Sequence, residues 1–420
     1  MYFILFVQTL FKRVILATAD IYLIGMDNKL FVTIIVVALV IAGVSTAAFM
    51  YNAEADTTDD SNMFNIIARA NSEGSGLYIK STIATGSGIP VRNGVAFFES
   101  DWTVSPSNAA AWGGLVFGTP GTSSIQHTQL AELASIMGLK FTLYSTNASK
   151  SADTLYYDSG ITNAGQALSS TVIDGGILWE PQYQLIIQDS SGKFKSLALT
   201  NDVFEDHTCC IIAGNTDYMK SHESITERFL AGYVMAVEDI NDILSNPDSQ
   251  DYDDFVDFVM TKVAALANKE EITEAALANI TYLYADDVAG NLYGLEEDVS
   301  DLIKGLDSLN IFKKPVNNPE LFADEFVTSA YLKKAVAGDY TVGSKTTVKV
   351  AVINGDIHQI AIHWAIEKGF FNDVNIGIEI VGSTNGAGVA TALVNGEATF
   401  GFLGAPPATI TTVNSGYISA

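Results

Sequence analysis

Cysteine is nearly absent from this chain, whose 420 residues include only the two neighbours Cys209 and Cys210. Without a Cys-x-x-Cys pair or a Cys/His cluster, the sequence excludes the common structural zinc sites. A disulfide between adjacent cysteines is geometrically strained. Because free cysteine is often buried like a small apolar residue, we interpret the pair as part of a buried strand over Cys209–Ala213.

Basic residues are also scarce. The chain has 22 Lys and Arg against 48 Asp and Glu, which gives a formal net charge of -26 and a pI near 4.3. A nucleic-acid partner needs a basic footprint, so this class of function is excluded. With 48% hydrophobic residues the chain is globular, and its length allows two lobes with substantial cores.

Sequence signatures of catalysis are missing as well. No catalytic triad or metal-ligand cluster is evident, and we expect neither a cofactor nor a bound metal. The glycine-rich run Gly382–Gly388 lacks the Lys-Ser/Thr pair that completes a phosphate-binding P-loop. ATP hydrolysis would therefore belong to a partner subunit.

A long apolar run near the start predicts export. Leu30–Met50 carries no charge, and a bilayer-spanning helix needs about 20 such residues. Lys29 precedes the run and acidic residues follow it, which is the polarity of an exported protein. We predict a leader or membrane anchor over residues 1–55, with Met26 as the expected true start. Ala53-Glu54-Ala55 fits a cleavage site, and an uncleaved helix that tethers the protein to the cell surface is the alternative.

Apolar strands alternate with amphipathic helices over most of the remaining chain. Near the end, a strand is predicted over Val348–Asp356 and a helix over His358–Phe370 that ends at Gly369. Ala152–Ala167 predicts a helix and a turn. The alternation favours an α/β fold with parallel-type sheets.

Five strand-to-helix turns are rich in Gly, Ser or Thr. A helix N-terminus presents free N–H groups and a partial positive charge, which favour anions. In open α/β sheets, ligands bind beyond the carboxyl ends of the strands, and we expect all five turns at that edge. A simple helix cap is the alternative for each turn alone. The turns are Gly355-Asp356, Gly382–Gly386, Gly404–Pro407, Asn71–Ser75 and Thr119–Ser124.

Six segments carry a resemblance to a known family. They are VAVINGDIHQIAIHWAIEKGFF, EATFGFLGAPPA, ARANSEGSGLYI, GTPGTSSIQHT, ILWEP and HTCC. Together they resemble the solute-binding proteins of nitrate/sulfonate/taurine-type ABC importers, a group that includes relatives of the thiamine-pyrimidine proteins. The resemblance implies a two-lobed α/β fold of the periplasmic-binding-protein type II class, the Venus flytrap, which closes on its ligand by hinge motion.

The order of these segments departs from the family, in which the first two precede the others. The departure implies either a circular permutant or a fragment of a tandem or mis-assembled gene. A permutant is physically reasonable because the termini of compact domains often lie close together. Residues 62–113, 211–335 and 346–420 would then form lobe 1, residues 114–210 would form lobe 2, and the linker 336–345 would join the ancestral termini.

The resemblance also implies ligand-binding positions. Ser123 and Ser124 would hold an oxyanion at a helix N-terminus. Trp179 would cover an apolar or cationic part of the ligand, or else be a core aromatic. His358 would donate to the ligand, or else lie on the surface. The full set is Gly355, Asp356, His358, Gly404, Ala405, Ser72, Glu73, Gly74, Thr122, Ser123, Ser124, Trp179 and Glu180.

Three of these positions are carboxylates, namely Glu73, Asp356 and Glu180, which would repel a bare anion. If they line the cleft, a taurine-like zwitterion or a pyrimidine fits better than nitrate. If they point away or bond to backbone donors, a simple sulfonate remains an alternative ligand.

The resemblance implies an extracytoplasmic binding protein that passes a small oxyanion or zwitterion to an ABC permease and its ATPase subunit. Two alternatives belong to other classes. One is an enzyme of thiamine-pyrimidine synthesis, for which His207–Cys210 is a short echo of a Cys-rich patch, although an export leader argues against it. The other is an extracellular sensor domain held by an uncleaved helix, although nothing before Met26 resembles a signalling domain.

Overall fold

The computed structural model describes residues 64–86, 88–146 and 149–415. The leader predicted over residues 1–55 lies outside this part of the chain. Within the described residues, no helix combines the length and the apolar character that crossing a bilayer requires.

Strands and helices alternate through the described residues. The strands are β1 Phe64–Glu73, β2 Ser75–Lys80, β3 Val91–Arg92, β4 Val95–Ala96, β5 Val116–Thr119, β6 Lys140–Leu143, β7 Thr154–Ser159, β8 Gly175–Trp179, β9 Phe194–Leu199, β10 Thr208–Asn215, β11 Ile280–Tyr282, β12 Thr346–Ile353, β13 Ile376–Ser383 and β14 Phe400–Gly404. The helices are α1 Ala109–Trp112, α2 Ile125–Ile136, α3 Ala164–Ser169, α4 Gln182–Ile187, α5 Thr200–Val203, α6 Thr216–Ser221, α7 Glu223–Leu244, α8 Gln250–Lys262, α9 Glu270–Leu277, α10 Tyr293–Ser308, α11 Pro319–Phe326, α12 Ala330–Ala337, α13 Ile360–Lys368, α14 Phe370–Asp373, α15 Gly386–Val394 and α16 Ala405–Ser415. Short 3-10 turns lie at Pro106–Asn108, Ala264–Leu266 and Ile357–Gln359.

Two six-stranded sheets define two lobes. The sheet of lobe 1 has the order β11-β1-β10-β14-β12-β13, and the sheet of lobe 2 has the order β6-β7-β5-β8-β2-β9. One continuous apolar core surrounds the first sheet, whereas two separate apolar clusters pack in lobe 2. The two-lobed α/β class predicted from the sequence is confirmed.

The sheets are mixed rather than purely parallel. Strand β12 is parallel to β13 and β14, and β5 is parallel to β7 and β8. In contrast, β10 runs antiparallel to both its neighbours, and so does β2. The chain passes between the lobes at β1–β2 and again at β9–β10. Because β2 and β10 are the first strands after these crossings, they enter their sheets in the reverse direction.

The crossings also correct the predicted lobe boundaries. Residues 75–113, which were assigned to lobe 1, belong to lobe 2, where Leu77, Phe97 and Trp112 share one core. The last strand of lobe 2 is β9, which ends at Leu199, because β10 belongs to the sheet of lobe 1. The first crossing is at Gly74, between Glu73 of β1 and Ser75 of β2, within the predicted turn Asn71–Ser75.

Local sequence signals decide several other elements. Helix α13 ends at Gly369, whose φ of +83° places it in the left-handed region that favours glycine, as predicted. The region Ala152–Ala167 was predicted without a strand, yet it contains β7, which pairs in parallel with β5 and β6. Its alternating apolar residues are too few to override the helical pattern, so only the neighbouring strands decide its structure.

The predicted linker 336–345 is held against lobe 1. The side chain of Arg228 donates from Nη1 to the carbonyls of Ser344, Val374 and Asn375 at 3.1–3.3 Å. Strand β1 and strands β12 to β14 share one sheet although they lie at opposite ends of the described chain. The circular permutation itself stays a prediction.

Candidate functional site

A cavity of about 240 Å³ lies between the two lobes. Its walls are the residues at or beyond the carboxyl ends of β5, β7, β8, β12, β13 and β14. The start of β10 reaches the same edge because this strand is reversed, and it adds Cys209 and Cys210. The position agrees with the general rule for ligand sites in α/β sheets.

Six of the predicted site residues line this cavity, namely Ser123, Ser124, Trp179, Asp356, His358 and Gly404. Four of the five predicted turns therefore meet there. The fifth, Asn71–Ser75, contains the first crossing, is buried, and contributes no residue to the cavity lining. The predicted residues that do not line the cavity are Ser72, Glu73, Gly74, Thr122, Glu180, Gly355 and Ala405.

Helix N-termini from both lobes face the cavity. In lobe 2, the Ser124 side chain caps α2 by accepting from the backbone N–H of His127 at 3.2 Å. In lobe 1, the Asn385 side chain caps α15 by accepting from the N–H of Gly388 at 2.9 Å. The first amides of each helix have no acceptor within the helix, so they point a partial positive charge at the cavity.

A third helix, α16, also begins at the cavity but contributes a different surface. Its second and third residues are Pro406 and Pro407. Proline has no N–H group, so this end adds an apolar wall and few donors. The sequence turn Gly404–Pro407, predicted as an anion loop, is therefore only partly suited to that role.

His358 is held between two acceptors. Its Nδ1 lies 2.8 Å from Asp356 Oδ1, and its Nε2 lies 2.9 Å from the carbonyl oxygen of Gly74. Since a carboxylate and a carbonyl only accept hydrogen bonds, both ring nitrogens carry protons and the ring is a cation. Burial alone would lower the pKa of His358, but Cys209, Asp356 and the Gly74 carbonyl outweigh it and raise the pKa to about 9.

The turn that carries this histidine is fixed from three sides. Tyr282 Oη donates to the carbonyl of Ile357 at 2.9 Å. Gln359 Nε2 donates to the carbonyl of Phe402 at 3.1 Å, and Gln359 Oε1 accepts from the N–H of Ile353 at 2.8 Å. The His358–Asp356 pair is therefore rigid, and both histidine nitrogens are already engaged. The predicted donation from His358 to a ligand has no free N–H in this arrangement.

Gly74 joins the two lobes at the first crossing. Its carbonyl accepts from His358 in lobe 1 and from the backbone N–H of Glu180 in lobe 2, the latter at 2.8 Å. The buried carboxylate of Glu180 accepts from Asn279 Nδ2 at 2.8 Å and from the Gln184 N–H at 3.3 Å. Glu180 therefore supports the junction between the lobes, whereas the sequence predicted a ligand contact.

The three carboxylates differ in their partners and in whether they line the cavity. Glu73 accepts from Thr281 Oγ1 at 3.3 Å and Glu180 is bonded as described, so neither lines the cavity. Asp356 does line it, but the charge of His358 balances its own. Within the described residues no Lys or Arg lines the cavity. The walls therefore carry one ion pair together with thiol, hydroxyl, amide and apolar groups.

The two cysteines, which the sequence predicts only as part of a buried strand, also line the cavity. They lie in β10 as predicted, both are free thiols, and their sulfur atoms are 4.0 Å apart. The Cys210 contact and the nearby His358 cation lower the pKa of Cys209, although burial opposes them. Their place at the cavity follows from the reversal of β10, for which the sequence contains no local signal.

Other cavity residues were missed for different reasons. Asn385 lies within the predicted turn Gly382–Gly386 but was not among the predicted site residues. Its position directly before a helix is typical of a capping residue, and this local signal could have identified it. Gln126 lines the cavity from the first turn of α2 and donates from Nε2 to Ser75 Oγ at 2.9 Å. Thr162 follows β7, the strand that was predicted as helix and turn, so its position depended on that error.

The junction predicts a pH dependence of stability. Burial raises the pKa of Glu180 to about 7, against the opposing bonds from Asn279 and Gln184, from a usual value of 4.5. The folded state therefore binds more protons between these values, and stability falls as the pH rises through this window. At about 1.4 kcal/mol per pKa unit, the ionisation of Glu180 should lower the unfolding free energy of the wild type by roughly 3 kcal/mol. The Glu180→Gln variant should not show this loss.

Urea unfolding of both proteins at pH 5 and pH 8 measures this difference. His358 is present in both proteins, so the comparison isolates the contribution of Glu180 together with its electrostatic interaction with His358. The exposed Glu297→Gln change is the matched control and should keep the wild-type pH dependence. Equal pH dependence in Glu180→Gln and the wild type would show that Glu180 is ionised without penalty.

Within the described residues, no group of three or more His, Cys, Asp and Glu side chains is placed to hold a metal ion. No protein-family model matches the chain, and no curated protein matches it. In fold it is similar to the periplasmic nitrate-binding protein NrtA from Synechocystis PCC 6803. That pair shares 9% sequence identity with a TM-score of 0.43, over 69% of this chain and 71% of the other.

Proposed function

We propose that the protein is an extracytoplasmic solute-binding protein that captures a small oxyanion or zwitterion between its lobes and passes it to an ABC permease with its ATPase subunit. The observation that carries this proposal is the meeting of α2 from lobe 2 and α15 from lobe 1 at one cavity. A ligand held by both N-termini would bridge the lobes. The predicted leader would place the protein outside the cytoplasm, either secreted or tethered by its N-terminal helix.

The size of the cavity supports a small ligand. Its volume is about 240 Å³, whereas pockets for drug-sized molecules measure roughly 300–1,000 Å³. A solute of a few heavy atoms fits this space.

The charge of the walls supports a ligand that is neutral overall or carries one negative charge. The paired Asp356 and His358 add no net charge, and only helix N-termini and small polar groups attract an anion. Trp179, Ile125 and Pro406 supply apolar surface. A taurine-like zwitterion or a short alkyl sulfonate uses both kinds of surface, whereas a polyanion would lack cationic partners.

The connections between the lobes support a hinge. The two sheets are joined by the crossings β1–β2 and β9–β10. Hinge closure of two domains around a ligand requires a few connecting residues that absorb the motion. We propose that these two crossings are the hinge.

A thermal-shift screen of the full chain in a mild detergent tests the proposal. The panel contains taurine, alkyl sulfonates, nitrate, bicarbonate, pyrimidines and small amines. A ligand at 100 times its dissociation constant should stabilise the fold by about 2.7 kcal/mol. Stabilisation by a sulfonate, taurine or a similar oxyanion is the expected result. Stabilisation by a pyrimidine alone would overturn the ligand class, and no stabilisation by any compound would overturn the function.

Replacing the cavity tryptophan should weaken the binding of the solute. Trp179 lines the cavity from the end of β8 and is partly exposed there. Loss of its apolar face in Trp179→Ala should raise the dissociation constant about tenfold, which corresponds to about 1.4 kcal/mol. Isothermal titration calorimetry with the solute found in the screen measures it.

The matched control is Trp102→Ala, which removes a tryptophan that packs on Phe98 in lobe 2 at a ring distance of 5.6 Å and does not line the cavity. This control should bind the solute as the wild type does. Equal affinities of the two variants would mean that the solute binds elsewhere.

A further inference from the structure

A second and larger cavity lies outside the proposed solute site. It measures about 840 Å³ and is lined by helix α2 of lobe 2 and helix α10 of lobe 1, together with residues 204–208 of the second crossing. We call it the α2–α10 groove. It shares only Ile125 with the smaller cavity.

The groove is lined by a buried amide that has no partner. The side chain of Gln129 is on α2, and the residue is only 3% exposed. Neither its Nε2 nor its Oε1 has a hydrogen-bond partner among the described residues. Burying an unbonded amide costs free energy, and buried polar groups in folded proteins are almost always bonded. A ligand in the groove would supply the partner that this amide lacks among the described residues.

A second unbonded acceptor lines the same groove. His207 Nδ1 lies 2.8 Å from the carbonyl oxygen of Phe204, so this nitrogen carries the ring proton. Burial lowers the pKa of His207, which keeps the ring neutral. Its Nε2 is then an acceptor, and it has no partner among the described residues. The base of the groove therefore offers a buried nitrogen lone pair to a donor.

The walls of the groove are acidic. Four carboxylates line it, namely Glu132, Glu205, Asp298 and Asp301. Arg69 pairs with Asp298 at 3.1 Å and Lys304 pairs with Asp301 at 3.0 Å. Within the described residues, neither Glu132 nor Glu205 forms an ion pair. The unbalanced charges of the groove are therefore negative.

Apolar side chains lie between these acidic groups, among them Leu139, Phe141, Phe204 and Leu302. A metal ion would not use such a surface, and the described residues contain no cluster suited to chelate one. An aliphatic amine combines methylene groups with strong N–H donors, so it complements both the apolar walls and the unpaired acceptors.

We propose that the α2–α10 groove is a binding site for an aliphatic di- or triamine. Its ammonium groups donate to Gln129 Oε1, to His207 Nε2 and to the unpaired carboxylates, and its methylene chain lies on the apolar walls. The amine contacts both lobes, since α2 and α10 belong to different ones.

Calorimetric titration of the full chain in a mild detergent with spermidine tests this proposal, in 150 mM and 500 mM NaCl. The expected result is one saturable site that persists at the higher salt concentration. The Gln129→Leu variant should bind spermidine about tenfold more weakly, because a hydrogen bond to a charged group is lost. Leucine is similar in size and leaves no unbonded polar atom, so this variant should melt at or above the wild-type temperature.

Glu132→Gln is a second variant that does not touch the core, since this side chain lies at the surface of the groove. This variant should bind spermidine roughly threefold more weakly. Its control is Glu367→Gln, which removes the same charge from an exposed position of α13 outside the groove.

A chain of charge -26 also attracts polyamines without a site. Such binding would fall steeply with salt, show no defined stoichiometry and be equal in Glu132→Gln and Glu367→Gln. That result, or wild-type affinity in a folded Gln129→Leu, would overturn the proposal.

Discussion

The Gly74→Ala variant should lose about 5 kcal/mol of stability, which is close to the whole margin of many folded domains. Gly74 has a φ of +82°, where an L side chain costs about 1–2 kcal/mol. An added Cβ would lie 2.2 Å from His358 Nε2 and 2.9 Å from Ile280 Cγ1. The histidine cannot retreat without breaking its pair with Asp356, and disrupting a buried ion pair costs about 3–5 kcal/mol.

Urea unfolding monitored by tryptophan fluorescence measures this loss, and the solute found in the screen should no longer bind at the wild-type affinity. The control is Gly94→Ala, in the turn between β3 and β4. Gly94 has a φ of +81°, and a Cβ there would meet no atom within 4 Å. It carries the same backbone cost without the collision, so it should lose only about 1–2 kcal/mol. Equal losses in the two variants would show that the contact with His358 does not matter.

The second large effect is expected for Asp356→Asn, which removes the carboxylate that pairs with the buried His358 cation. Asp356 Oδ1 accepts both from Nδ1 and from the backbone N–H of His358, the latter at 3.1 Å. Asparagine can keep the cap but not the charge. A buried cation without its partner is strongly destabilising, by about 3 kcal/mol at the lower end of measured cases.

This loss should depend on pH in a defined direction. The pKa of His358 is raised from 6.5 to about 9 in the folded protein. Its stabilising contribution is therefore complete below pH 6.5 and disappears as the pH rises through 9. The difference in unfolding free energy between wild type and Asp356→Asn should be largest at pH 6 and small at pH 9.5.

Urea titrations at the two pH values measure this difference, with the exposed Asp248→Asn as the matched control. The control should resemble the wild type at both values. A loss in Asp356→Asn that does not change with pH would mean that the carboxylate acts only as a cap. That result would contradict the assignment of a protonated His358.

The sequence predicted those features that depend on neighbouring residues. Strand and helix periods, the cap at Ser124 and the helix end at Gly369 are local, because the residues involved lie within a few positions of one another. The turns at the carboxyl ends of the strands were predictable for the same reason. Four of the five turns meet at one cavity because parallel strands end at a common edge.

The predicted site residues that do not line the cavity depend on the path between the lobes. Glu180 and Gly74 were predicted to contact the ligand, and the structure places both in the junction between the lobes, outside the cavity lining. Cys209 and Cys210 reach the cavity only because β10 is reversed. No local pattern distinguishes a strand that enters a sheet in reverse from one that does not.

By itself, the sequence determined the acidic character, the alternation of strands and helices and the polar turns that follow the strands. The tertiary structure alone decided where the chain crosses between the lobes and which side chains meet there. The bond between His358 and Gly74 joins residues 284 positions apart. Such a contact is selected by the packing of whole elements, since the free energy of burying a charged ring depends on every group around it.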